Sequence, residues 1–193
     1  MARPKLLLAA VLFIALAALV FVFFRTGARE SLRIAAAAPS SAAEEAPSVE
    51  RALKTVTLFF PREEDGLLVP EEREIPADPA PAREAETALA ELIKGPRGEL
   101  VAALPPETRL ARLFITRDGT AYADFNRELA DKHPSGTDAE MATVFSIVDT
   151  LAFNFPAIKK VFLLIDGEER ETLSGHLSLD RAFFPDYKLT VRR

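Results

Sequence analysis

The chain has 193 residues, 24 Lys and Arg against 29 Asp and Glu, a net charge of −5 and no cysteine. The absent cysteine excludes disulfides, thiol catalysis, cysteine metal sites and a lipid-modified cysteine anchor. The charge divides unevenly, about +3 over residues 1–54 and −8 over residues 55–193, and an acidic carboxyl-terminal part lacks the basic face that nucleic acid or anionic lipid requires.

Residues 1–5 form a short tail before the run Leu6 to Phe24, LLLAAVLFIALAALVFVFF, which holds no polar or charged side chain. As a helix it is roughly 28 Å long, close to the hydrocarbon thickness of a bilayer. It exceeds the apolar region of a cleaved secretory signal, and the small residues Ala35 to Ala38 lie well beyond it. The expectation is an uncleaved signal-anchor that partners the cytoplasmic membrane. Arg3 and Lys5 before it and Arg25, Arg29 and Arg33 after it leave orientation undecided by charge. Residues 25–54 are rich in Ala, Ser, Pro and Glu and bury too little to offset their ordering entropy, so they read as a disordered tether.

Residues 55–187 read as one domain and 188–193 as a tail. Thr55 to Phe60 alternates with Val56, Leu58 and Phe60 on one face and predicts a strand ended by Pro61. The acidic PREEDG is a turn, and Leu67 to Ile75 is a second extended segment. Ala85, Ala88, Leu89, Leu92 and Ile93 make the apolar stripe of a helix stopped by Gly95 and Pro96. Asp118-Gly119 suits a tight two-residue turn between Ala111, Leu113, Ile115 and Ala121, Ala123, Phe125. Thr137 to Glu140 has the T-x-x-E spacing of a capping box before Met141, Val144, Phe145, Val148, Leu151, Ala152 and Phe155. Val161 to Ile165 is apolar without alternation and predicts a central strand, followed by an Asp166-Gly167 turn and a short return ending near Leu173. The order β-β-α-β-β-α-β-β implies an α+β two-layer sandwich, two amphipathic helices on one face of a small mixed sheet.

No catalytic, cofactor-binding or metal-binding set emerges. His133 and His176 are far apart in sequence and read as loop residues. Asp124, Asp149 and Asp166 are the carboxylates that acid-base chemistry would draw on, but Asp166 is explained by its turn, Asp124 by a strand end, and Asp149 by a solvated helix position. The chain has no G-x-S-x-G, G-x-G-x-x-G or phosphate-binding loop, and PREEDG and PEERE lack calcium-loop spacing.

VTLFFP with LVPEEREIP, ALAELIKGP with LPPETRL, DGTAYADFNREL, FSIVDTLAFNFPAIKKVFLLIDGEE and LSGHLSLDRAF occur in order from Thr55 to about Phe184. In this order and spacing the chain resembles the GerMN domain of sporulation and spore germination proteins. Ser178 and Ala182 depart from the usual ending, where Asp and Pro are common. The resemblance implies a non-enzymatic cell-envelope domain on the outer face of the cytoplasmic membrane, similar to ring-building modules, with no catalytic residue to carry over. It also favours a cytoplasmic amino terminus. The leading expectation is docking on an envelope protein or on further copies of the chain through sheet edges or the Gly175 to Phe184 segment. A peptidoglycan or small-ligand binder and an envelope hydrolase are the alternatives.

Overall fold

The computed structural model describes residues 52–191. The apolar run Leu6 to Phe24 and most of the tether lie outside the described residues, and among the described residues no helix is long and apolar enough to cross a membrane.

Strands β1 (Leu53–Pro61) and β2 (Leu68–Pro76) form an antiparallel hairpin, with Leu53 opposite Pro76 and Pro61 opposite Leu68. Helix α1 (Pro81–Ile93) follows, with a proline at its start, where no amide hydrogen is required. Strands β3 (Leu110–Ile115) and β4 (Thr120–Phe125) are antiparallel. A short α2 (Glu128–Asp131) and the long α3 (Thr137–Asn154) then lead to β5 (Lys160–Ile165), which lies parallel to β4. The α+β class is as expected. The single mixed sheet is not, because β1-β2 and β3-β4-β5 are separate sheets. One apolar core serves both, from Val56, Leu58 and Phe60 through Leu89 and Leu92 to Ile147, Leu151, Val161 and Leu163.

Helix α3 explains why β1 joins no third strand among the described residues. The Thr57 N–H donates to Asn154 Oδ1 at 2.8 Å, Asn154 Nδ2 donates to the Thr57 carbonyl at 2.6 Å, and the Phe59 N–H donates to Thr150 Oγ1 at 3.2 Å. Side chains of a helix thus occupy the edge that another strand would pair with. Asn154→Ala removes both partners of the Thr57 peptide groups, and a loss of about 1–2 kcal/mol in urea unfolding is expected; an unchanged midpoint would show that the edge needs no cover.

The two Asp-Gly turns differ. Asp118-Gly119 is not a two-residue turn: the Gly119 N–H donates to the Thr116 carbonyl and the Thr116 N–H to the Thr120 carbonyl, and only Gly119 has positive φ, at 84°. This is a turn closed by a glycine bulge. A Cβ on Gly119 would lie 2.9 Å from the Ala157 carbonyl oxygen, so the position also needs glycine for space. Asp166-Gly167 is the true two-residue turn, with φ of 53° and 81° and Ile165 and Glu168 bonded across it. Its return arm stops at that bridge and forms no strand.

Strand β5 is corrected as well. Val161, Leu163 and Ile165 are buried while Phe162 and Leu164 are half-exposed, so it alternates, and the central strand is β4. Its outer edge takes one bridge, Val161 to Phe183. From there the chain runs as a strap to a 3₁₀ turn at Tyr187–Leu189, then bridges Leu68 through Thr190, with the Val191 N–H on the Leu68 carbonyl at 2.8 Å. Lys188 to Val191, expected to open a free tail, belong to this strap.

Candidate functional site

Where the strap crosses the hairpin it walls a groove of about 600 Å³. Thr57 and Phe59 of β1 and Pro70 and Glu72 of β2 form the floor, because alternation turns them away from the Val56, Leu58 and Phe60 face. Phe153 from the last turn of α3 and residues 186–188, 190 and 191 of the strap form the walls. Three rings meet there. The Phe59 and Phe153 centroids lie 5.5 Å apart at 78°, Phe153 and Tyr187 lie 6.2 Å apart at 78°, and Phe59 and Tyr187 lie 6.5 Å apart at 41°. Phe59 is buried, whereas Phe153 is 54% and Tyr187 45% exposed. Half-exposed aromatic rings bind apolar or cationic groups and do not themselves perform chemistry.

Behind the strap, Asp149 is fully buried, contrary to the solvated position expected of it. Its Oδ1 accepts the Asp186 N–H at 3.1 Å, and the Thr190 hydroxyl lies beside the carboxyl, near enough to draw its pKa down but outside hydrogen-bonding geometry. Burial pushes this carboxyl up to about 6, against the bond from the Asp186 N–H that lowers it.

The other candidate residues are occupied within the fold. Asp124 is buried and accepts from Arg112 Nη2 at 3.0 Å and from the Gly167 N–H at 2.7 Å, tying the second Asp-Gly turn to β4. Asp166 sits on that turn and accepts the Arg127 N–H at 3.2 Å. Asp124 and Asp166 thus come together at one turn, and Asp149 does not join them.

Glu140 is the residue the sequence misassigned. It does not close a capping box, since the residue preceding α3 is Gly136 and no side chain caps the helix. Fully buried, it accepts the N–H groups of Ser174, His176 and Leu177 at 3.0, 3.0 and 2.9 Å and the Ser174 hydroxyl at 2.7 Å, with His176 Nδ1 at 3.1 Å. Burial acts to raise its pKa, but these bonds outweigh it and hold the carboxyl down at about 2. His176 is therefore oriented by a carboxylate, as a catalytic imidazole would be. The Ser174 hydroxyl bonds that same carboxylate rather than the imidazole, so the set does not form a nucleophile and base. His133 is a buried loop residue, with Nε2 2.8 Å from Thr143 Oγ1 and Nδ1 2.6 Å from the Pro134 carbonyl, and burial lowers its pKa.

Among the described residues no cluster of His, Asp and Glu could hold a metal ion. PREEDG folds on itself through Arg62 and Asp65. In PEERE, Arg73 is buried, bonded to Glu71 and to the Gly95 carbonyl and placed 5.8 Å from the Phe60 ring.

A second apolar feature crosses the open face of β3-β4-β5. Phe114 and Tyr122 stack at 4.8 Å and Tyr122 and Phe162 at 5.5 Å, so their faces are spent on one another and their edges are left outward.

The family profile for sporulation and spore germination, named Germane, matches residues 57–171, more than half of the chain. The chain belongs to the Germane family. The match stops short of LSGHLSLDRAF, so the segment that binds Glu140 and the strap that walls the groove lie beyond it. Among solved structures, this Germane chain is similar to the first GerMN domain of the sporulation protein GerM from Bacillus subtilis. The identity is 25% and the TM-score 0.54, covering 71% of this chain and 98% of that one. The tandem GerMN domains of the same protein match at 25% identity and a TM-score of 0.52, covering 68% of this chain and 46% of theirs. A candidate lipoprotein from Clostridium perfringens shares the fold at 24% identity and a TM-score of 0.51, over 69% of this chain and 88% of that one. No curated protein matches the chain in sequence.

Proposed function

We propose that this Germane chain is a membrane-anchored module of the bacterial cell envelope that works by docking a protein partner and performs no reaction of its own. Leu6 to Phe24 is the anchor, residues 25–54 the tether, and the folded domain acts on the extracytoplasmic side of the cytoplasmic membrane. Similarity to a sporulation protein and to a candidate lipoprotein supports the compartment. The observation that carries the docking role is the distribution of partners. Glu140, Asp124, Asp166 and both histidines are engaged in holding loops, whereas Phe153 and Tyr187 stand half-exposed around an apolar groove. A groove of this size also lies within the range of small-ligand sites, which keeps a cell-wall fragment as the second reading.

A photoreactive phenylalanine analogue at position 153, activated in intact cells, is expected to capture one discrete envelope protein, with the adduct lost when the label is moved to the opposite sheet at Phe114. Adducts with cell-wall fragments instead of protein, or equal labelling from both positions, would count against the reading. Protease added to cells with a permeable outer layer but a sealed cytoplasmic membrane should cleave the domain; protection until that membrane is opened would refute the proposed side.

A further inference from the structure

The aromatic groove has a built-in preference for charge. Its rings, the buried Phe59 and the half-exposed Phe153 and Tyr187, meet at 78°, 78° and 41°. Among the described residues, cations lie over Phe60 and Phe155, through Arg73 and Lys54, and none over Phe59, Phe153 or Tyr187. Asp186 lines the groove from the strap, beside the exposed Lys188. Behind Asp186, Tyr187 and Thr190 lies the Asp149 carboxylate, wholly buried, with the Asp186 N–H on Oδ1 and the Thr190 hydroxyl beside it, outside hydrogen-bonding geometry, and no ion pair among the described residues. A buried carboxylate lacking a counter-charge favours a cation in the nearest accessible space.

We propose that this groove receives a lysine side chain of a partner polypeptide, its alkyl stem lying on Phe59, Phe153 and Tyr187 and its ammonium drawn to the Asp149 and Asp186 side of the groove. The volume of about 600 Å³ exceeds one side chain, so the lysine arrives on an extended segment with apolar neighbours. Charge complementarity supports a basic partner, since the folded part is acidic. This rests on the docking reading above and names what that docking recognises.

The test uses the full-length chain with Tyr122→Phe, which keeps the stacked ring and leaves Tyr187 as the sole tyrosine in a protein without tryptophan. In a detergent transparent to tyrosine excitation, the peptide acetyl-Ala-Leu-Lys-Leu-Ala-amide is titrated against its analogue with norleucine, of the same stem without the charge, in place of Lys. The lysine peptide is expected to change Tyr187 emission saturably and to bind about 5- to 30-fold tighter than the norleucine peptide. Phe153→Ala, at an exposed ring outside the core, should abolish both signals, and Asp149→Asn should reduce the lysine preference while leaving norleucine binding unchanged. Equal binding of the two peptides would overturn the charge preference, and failure of the lysine peptide to bind would overturn the proposal outright. Photocrosslinking at position 153 reports separately whether a protein docks at all.

Discussion

Glu140→Gln is expected to lower folding stability by about 3 kcal/mol at neutral pH and to flatten the acid-induced loss of stability below pH 4.5. The carboxylate is fully buried and gathers three backbone N–H groups and a hydroxyl from residues 174–177. An amide of the same shape offers one acceptor oxygen and turns an NH₂ group toward donors, so at least one buried N–H is left unpaired. The pKa agrees with that size. A fall from 4.5 unfolded to about 2 folded corresponds to about 3 kcal/mol of preference for the charged form. Because the folded pKa is depressed, this stability is complete above about pH 4.5 and is lost as pH falls toward 2. Urea unfolding of the parent chain should therefore show a declining midpoint over that window, and the Gln variant a lower midpoint with a flatter profile. Equal midpoints at pH 7 would mean that residues 174–177 are held by packing alone.

Sequence pattern revealed most of the elements and little of their wiring. β1, β2, α1, the β3-β4 hairpin and α3 are all signalled by periodicity and by Gly or Pro at their ends, because those signals are local. What failed depends on distant residues. T-x-x-E marks a capping box only if Glu140 turns back on its own helix, and here backbone donors in a loop 34 residues or more away compete for it and win. Asp149 looks solvated from its helical neighbours, yet α3 is enclosed by β1, the core and the strap, so positions around most of its girth are buried. VFLLI has no polar residue to betray an open face, and that face is covered by its own ring stack with Tyr122 rather than by a helix. The groove was not legible. Phe59, Phe153 and Tyr187 are far apart in the chain, and only the strap brings the third to the other two. The Glu140 and His176 pair was hidden for the same reason, although an acid at a helix start followed by a distant S-G-H segment is a signal that a search for anion-binding loops could use.

Asp149→Asn is expected to raise stability by about 2–3 kcal/mol at pH 7.5 and to change it by less than about 0.5 kcal/mol at pH 4. The folded pKa stands near 6 against 3.8 unfolded, chiefly through burial. A raised acid has the opposite sign to Glu140: its protonated form favours folding below the unfolded value, and that contribution is lost as pH rises from about 4 to 6. Asparagine keeps the Oδ1 that accepts from the Asp186 N–H and places an NH₂ at Oδ2, beside the Thr190 hydroxyl, without a buried charge. The two acids of α3 therefore hold successive parts of the carboxyl-terminal segment with opposing pH slopes, and between them stability should peak near pH 4.5. Urea midpoints from pH 3 to 8 for the parent and both variants would resolve the two windows. A parent curve that does not fall between pH 4 and 6.5, or an Asn variant no more stable than the parent at pH 7.5, would refute the unpaired charge. A carboxylate that weakens the fold at neutral pH and lies behind an aromatic groove is stabilised by whatever cation enters, so the same measurement with saturating lysine peptide should narrow the gap between parent and variant. That narrowing would join the cost of Asp149 to the binding the groove performs.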